Sequence, residues 1–71
     1  MNIHSNVVIS DSEILGGIPI FIGTRVPAKT LLDYLEKGHS LDDFLDDFPT
    51  VSLSQAQTLL HDLKQELVAA A

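Results

Sequence analysis

The chain has 71 residues, 45% of them hydrophobic, no cysteine, and ten acidic residues against four basic ones, for a formal charge of -6. A single domain this small buries roughly 60% of the surface its unfolded chain exposes, and without cysteine it has neither a disulfide staple nor a thiolate metal site. Association with another chain is the reinforcement left to it, and the charge has the wrong sign for general electrostatic attraction to nucleic acid.

The apolar share and the lack of long Pro, Gly or Ser runs argue against a disordered chain, and no apolar run approaches the ~20 residues that span a bilayer. The opening MNIHSNVVIS has no basic region followed by a long apolar stretch, so it does not read as a signal peptide. A cytoplasmic location with no membrane partner is expected. Charge is unevenly spread. Residues 1–39 set Arg25, Lys29 and Lys37 against Asp11, Glu13, Asp33 and Glu36, a net -1, whereas residues 40–71 set only Lys64 against Asp42, Asp43, Asp46, Asp47, Asp62 and Glu66, a net -5.

Asn6 to Ser10 (NVVIS) is short, β-branched and bounded by polar residues, and reads as a strand; Ile18 to Ile22 (IPIFI) reads as another, starting at Pro19 or lying at an edge. Left-handed backbone is expected at Gly16 or Gly17 and at Gly23, where only glycine enters turns without cost. Pro27 suits the first position of a helix whose apolar face is Ala28, Leu31, Leu32 and Leu35 and which Gly38 ends. Ser40 with Asp43 caps a second helix bearing Leu41, Phe44, Leu45 and Phe48, stopped by Pro49. Ser52 with Gln55 is a second capping box; it opens a longer helix with Leu53, Ala56, Leu59, Leu60, Leu63 and Leu67 on one buried face. The expected fold is thus mainly α, a single domain over 1–71 with a short β element at 6–22 and a three-helix core at 26–70. Its last two helices, joined by PTVS, resemble a helix-turn-helix. Two short strands are rarely stable alone, so Val7, Val8, Ile9, Ile18, Ile20, Phe21 and Ile22 are the candidate homodimer interface.

Catalytic chemistry is thin. His4, His39 and His61 have no companion nucleophile or base in sequence, and the glycines match no phosphate-binding pattern, so neither an enzyme nor a cofactor or metal is expected. Asp42, Asp43, Asp46 and Asp47 lie on the outward face of the second helix, which is a solvated surface, a docking face for a basic partner or, least favoured because no calcium-loop spacing surrounds them, a divalent metal site. Arg25, the only arginine, either binds a phosphate or a partner's carboxylate, or ties turn carbonyls to the bundle. Ser52, Ser54, Gln55, Gln57 and Thr58, near the start of the last helix, are the candidate DNA contacts, able to hydrogen-bond base edges but lacking positive charge.

The run GGIPIFIGTRVP, with LLDYLEKGHSLDDFLDDFPTVS and a last helix after it, is similar to the small bacterial family called domain of unknown function 433. The shared pattern lies on Gly17, Pro19, Gly23, Thr24, Arg25 and Pro27, and the match runs over residues 6–68. The resemblance implies a short N-terminal β element, a winged or homeodomain-like three-helix core and a dimer. It also implies the antitoxin half of a type II toxin–antitoxin module, neutralising a PIN-like ribonuclease toxin and regulating its own operon through operator DNA. Arg25 and the four aspartates are then the candidate partner contacts. A stand-alone helix-turn-helix regulator is the alternative. Where many members carry a Lys after the second glycine and a basic residue before Gly-Thr-Arg, this chain has Ile18 and Ile22, which makes the strand more apolar.

Overall fold

The computed structural model describes residues 5–70, so that His4 lies outside it. In chain order it contains β1 (Val8–Ile9), β2 (Ile20–Phe21), α1 (Ala28–Glu36), α2 (Leu41–Asp47) and α3 (Leu53–Ala70). The strands pair antiparallel, Val8 opposite Phe21 and Ile9 opposite Ile20. Both are shorter than the β-branched runs suggest. Pro19 has no N–H for a ladder, and beyond Ile22, whose N–H still donates to the Val7 carbonyl at 3.0 Å, the chain turns through Gly23 at φ +79°.

Between the strands, Asp11 organises a tight loop: its Oδ1 accepts the Glu13 N–H and its carbonyl the Ile14 N–H, both at 2.9 Å. A single 3-10 turn, Leu15–Gly17, follows. Its φ values are +51° at Leu15, +69° at Gly16 and +91° at Gly17. Glycine adopts these angles freely; for Leu15 the left-handed region costs about 1–2 kcal/mol through Cβ crowding.

After β2 the chain doubles back on itself. The Phe21 N–H donates to the Val26 carbonyl at 3.0 Å, and the Ala28 N–H donates to the Pro19 carbonyl at 2.9 Å. The first backbone N–H of α1, which no helical carbonyl can satisfy, is therefore paired with the opposite limb of the loop. Pro27 stands one place earlier than its sequence suggests, as the N-cap with extended ψ of 137°. At the other end of α1, Gly38 at φ +88° donates to the Leu35 carbonyl and the His39 N–H to that of Tyr34, the paired bonds of a Schellman stop. The Ser40–Asp43 capping box is present in both directions, and Ser52 with Gln55 forms another, at 3.1 and 3.0 Å.

Phe21, Val26, Ala28, Leu31, Phe44, Val51, Ala56 and Leu59 make one buried cluster. The Phe21 and Phe44 ring centroids lie 6.1 Å apart, so the β element is packed into the helices through its own side chain. Burying one such aromatic contributes roughly 1.5–3 kcal/mol. Two sequence expectations change here. Leu53 and Leu67, at the first turn and near the end of α3, are exposed, and Leu32 and Leu35 stay partly open. Ile20 and Phe21, expected to meet a second chain, are 2% and 0% exposed and belong to the interior of this one. Among the described residues no helix is long and apolar enough to cross a membrane.

The strain at Leu15, which is 47% exposed, gives a stability prediction. Leu15→Asn, a residue that tolerates left-handed backbone, should stabilise the protein by about 0.5–1 kcal/mol in urea unfolding. An unchanged or lower midpoint would mean that the leucine side chain returns its strain in packing.

Candidate functional site

The Gly-Thr-Arg turn is braced by its threonine. Thr24 Oγ1 donates to the Phe21 carbonyl at 2.8 Å and accepts the Val26 N–H at 3.0 Å, while the Thr24 N–H donates to the same Phe21 carbonyl. Arg25 next to it is exposed and, among the described residues, forms no ion pair. The work of tying turn carbonyls thus falls to Thr24, leaving the guanidinium at the surface. It borders an open cleft of about 700 Å³ on the ribbon, walled by Ile9, Ile14, Ile20, Ile22 and Val26, with Asp11 on its rim. Of the residues expected at a dimer interface, Ile9 and Ile22 are exposed beside this cleft, and Val7 and Val8 pack half-buried against the core. Ile18 lies elsewhere, in a smaller apolar groove with Pro19, Leu32, Leu59 and Leu63.

The start of α3 is less free than its sequence suggests. Gln55 Oε1 accepts the Ser52 N–H, and its Nε2 donates to the Ile22 carbonyl at 3.0 Å, across 33 residues of sequence. Ser52 and Gln55, two of the five candidate DNA contacts, therefore hold the cap and clamp the turn. Ser54 and Gln57 remain exposed, and Thr58 is half-buried.

On α2, Asp42, Asp43, Asp46 and Asp47 are all exposed. None pairs with a lysine or arginine among the described residues; Asp43 lies 3.8 Å from the His39 ring and also accepts the Ser40 N–H. Asp47 accepts a hydrogen bond of 2.6 Å from the Tyr34 hydroxyl. That bond, with smaller contributions from burial and from the charges of Asp47 and Asp43, raises the phenol pKa above its ordinary 10.0. Tyr34 also packs edge-on against Phe44 and Phe48, so it ties the acidic helix to α1 through both its ring and its hydroxyl. Neither Tyr34 nor the far end of Gln55 is legible as a site residue in the sequence. Tyr34 stands beside the Leu31 and Leu35 stripe, and its partner is thirteen residues on. Among the described residues no group of three or more His, Cys, Asp or Glu side chains comes together to hold a metal ion.

A short antiparallel ribbon packed on three helices, with a braced Gly-Thr-Arg turn, defines a small mainly α fold. The chain belongs to the family described as protein of unknown function DUF433, whose model matches residues 8–61. It is similar to a solved DUF433 member from Anabaena variabilis ATCC 29413, with a TM-score of 0.72 at 23% identity over 84% of this chain. It is also 38% identical over 45 residues, 63% of its length, to the uncharacterized protein y4eO of Sinorhizobium fredii (strain NBRC 101917 / NGR234). The chain spans 59% of the Anabaena chain and 20% of y4eO.

Two predictions follow from these contacts. Gln55→Glu keeps an acceptor for the Ser52 N–H but sets a carboxylate against the Ile22 carbonyl, so it should cost about 1–2 kcal/mol, more than a loss of helix propensity explains; urea unfolding of this variant beside Gln55→Ala measures the clamp. Tyr34 is the only tyrosine and there is no tryptophan, so tyrosinate absorbance reports it alone. Its titration midpoint should lie above 10.0 and fall towards that value in Asp47→Asn. Because the folded pKa is the raised one, the bond's contribution to stability is full below pH 10 and is lost as pH rises through the folded value. Salt should weaken it, since the pair is exposed.

Proposed function

We propose that this chain is the antitoxin of a type II toxin–antitoxin pair, which binds and blocks a PIN-like ribonuclease and, in that complex, represses its own operon. The observation that carries the reading is the outer face of α2. Four exposed carboxylates lie within six residues of a chain of charge -6, with no lysine or arginine beside them among the described residues. Two of them, Asp46 and Asp47, lie in the last turn, where the negative end of the helix dipole makes acidic residues unfavourable. A surface kept acidic against its own helix suits a basic counterpart, and a groove that binds RNA is basic.

The commitment of Ser52 and Gln55 to the α3 cap favours this reading over a stand-alone regulator, which would need that helix start free for base edges. The four Lys and Arg side chains against ten carboxylates point the same way.

Co-expression with the product of its neighbouring gene should give a stoichiometric complex in which that product's RNA-cleaving activity is suppressed. The double variant Asp42→Asn, Asp46→Lys should weaken that complex about tenfold or more while leaving α2 close to its original stability, because relief of the like-charge repulsion and a cation at the C-terminal end offset the N-terminal dipole interaction lost at Asp42. Absence of a complex, or full nuclease activity within it, would sink the reading.

A further inference from the structure

The ribbon is apolar on both of its faces. Side chains along a strand alternate between faces, so Phe21 turns to the helices, where it meets Phe44, while Ile20 and Ile22 turn the other way. Ile9, paired with Ile20, shares that outer face. A ribbon with one face in water carries polar residues there, whereas unbroken apolar runs belong to strands covered on both sides. Ile20 is 2% exposed although the core cluster gathers around Phe21 instead. It is the floor of a second apolar layer, and Ile9 and Ile22, 49% and 45% exposed, are its open rim.

That layer is the cleft of about 700 Å³ beside the Gly-Thr-Arg turn, within the roughly 300–1,000 Å³ of ordinary ligand sites. Three stretches of chain converge on it: the loop after β1 brings Ile14, the turn brings Arg25, and the connection between α2 and α3 brings Thr50. Its two charges stand at diagonal corners. The segment after Arg25 runs along the edge of β2 opposite β1, since the Val26 carbonyl accepts from Phe21 and Pro27 lies opposite Ile20, and this sets Arg25 at the Ile22 end. Asp11 continues β1 beyond the Ile9–Ile20 pair, at the other end, and its Oδ1 is taken by the Glu13 N–H. Arg25 forms no ion pair among the described residues. The backbone N–H groups of Gly23 and Arg25, on the same wall, have no acceptor among the described hydrogen bonds. Backbone N–H groups beside a guanidinium suit an oxyanion.

We propose that this cleft binds a monocarboxylate with an apolar tail, the carboxylate on Arg25 and the Gly23–Arg25 turn, the tail across Ile20 between Ile9 and Ile22. A purely apolar occupant would cover the guanidinium without giving it a counter-charge, which is costly. Asp11 at the far corner repels a second carboxylate, so the site distinguishes a monocarboxylate from a dicarboxylate of the same length. It uses none of the α2 carboxylates and stands or falls apart from the antitoxin reading.

Titration of the full chain with octanoate, followed by NMR through the isoleucine methyl signals, tests this. The Ile9, Ile20 and Ile22 methyls should shift and saturate, while that of Ile18, in the separate groove with Leu32 and Leu59, should stay in place. Octan-1-ol and the dicarboxylate suberate should each bind about tenfold more weakly than octanoate. Arg25→Gln, at an exposed position and with circular dichroism confirming helix content, should lower the octanoate affinity to that of octanol and leave octanol binding unchanged. Absence of a saturable shift with octanoate would overturn the proposal. Equal affinity for octanoate and octanol would also overturn it, marking the cleft as an apolar docking face for a protein segment. So would an equal shift at Ile18, the sign of partition onto any exposed apolar surface.

Discussion

The reversal of the chain between Pro19 and Ala28 is the constraint on which the remaining structure rests. Its backbone bonds, Phe21 to Val26 and Ala28 to Pro19, pair groups that would otherwise enter the interior unsatisfied, at about 1–3 kcal/mol each. In closing, the loop drives Phe21 inward against Phe44 and starts α1 from a fixed point. Thr24 holds the tip with its hydroxyl, and the Gln55 amide holds the next carbonyl from α3. A residue other than glycine at Gly23 would meet open space but unfavourable backbone. The motif is therefore mainly a folding device, and its Arg25 side chain is exposed and forms no ion pair among the described residues.

How much of this could be read from the sequence depends on the range of each interaction. The capping boxes at Ser40–Asp43 and Ser52–Gln55, the Gly38 stop and the apolar positions Leu31, Phe44, Ala56 and Leu59 are local or periodic, and all are found where their spacing puts them. The strand lengths were not legible, because β-branched residues signal only a fit to a pleated surface; which of them pair depends on Pro19 and on the reversal beyond. Nor could the sequence separate Ile20 and Phe21, which the fold buries, from Ile9 and Ile22, which it leaves exposed. All four are equally apolar, and their fates diverge through contacts made across the chain. The same limit hid the Tyr34–Asp47 bond and the second half of Gln55's role. A polar side chain at a cap is recognisable, whereas its free end can reach any carbonyl the fold brings near.

The acidic helix shows a tension between stability and surface. Asp42 and Asp43 gain from the N-terminal end of the α2 dipole, and Asp43 serves as half of its capping box. Asp46 and Asp47 do not share that advantage. Asp47 recovers some of the loss by accepting from Tyr34, whose ring is itself set among Phe44 and Phe48. Asp46 has no such partner among the described hydrogen bonds and ion pairs. Asp46 thus adds repulsion to its own helix without a compensating contact among those described.

The geometry of α2 fixes which way its carboxylates face. Phe44 points at Phe21 of β2, and Asp42 and Asp46, two residues to either side of it, lie about 200° around a helix of 3.6 residues per turn. The acidic side of α2 therefore faces away from the ribbon. The strongly acidic second half of the sequence therefore carries the α2 carboxylates on the side of that helix opposite the Phe44 contact that holds the ribbon.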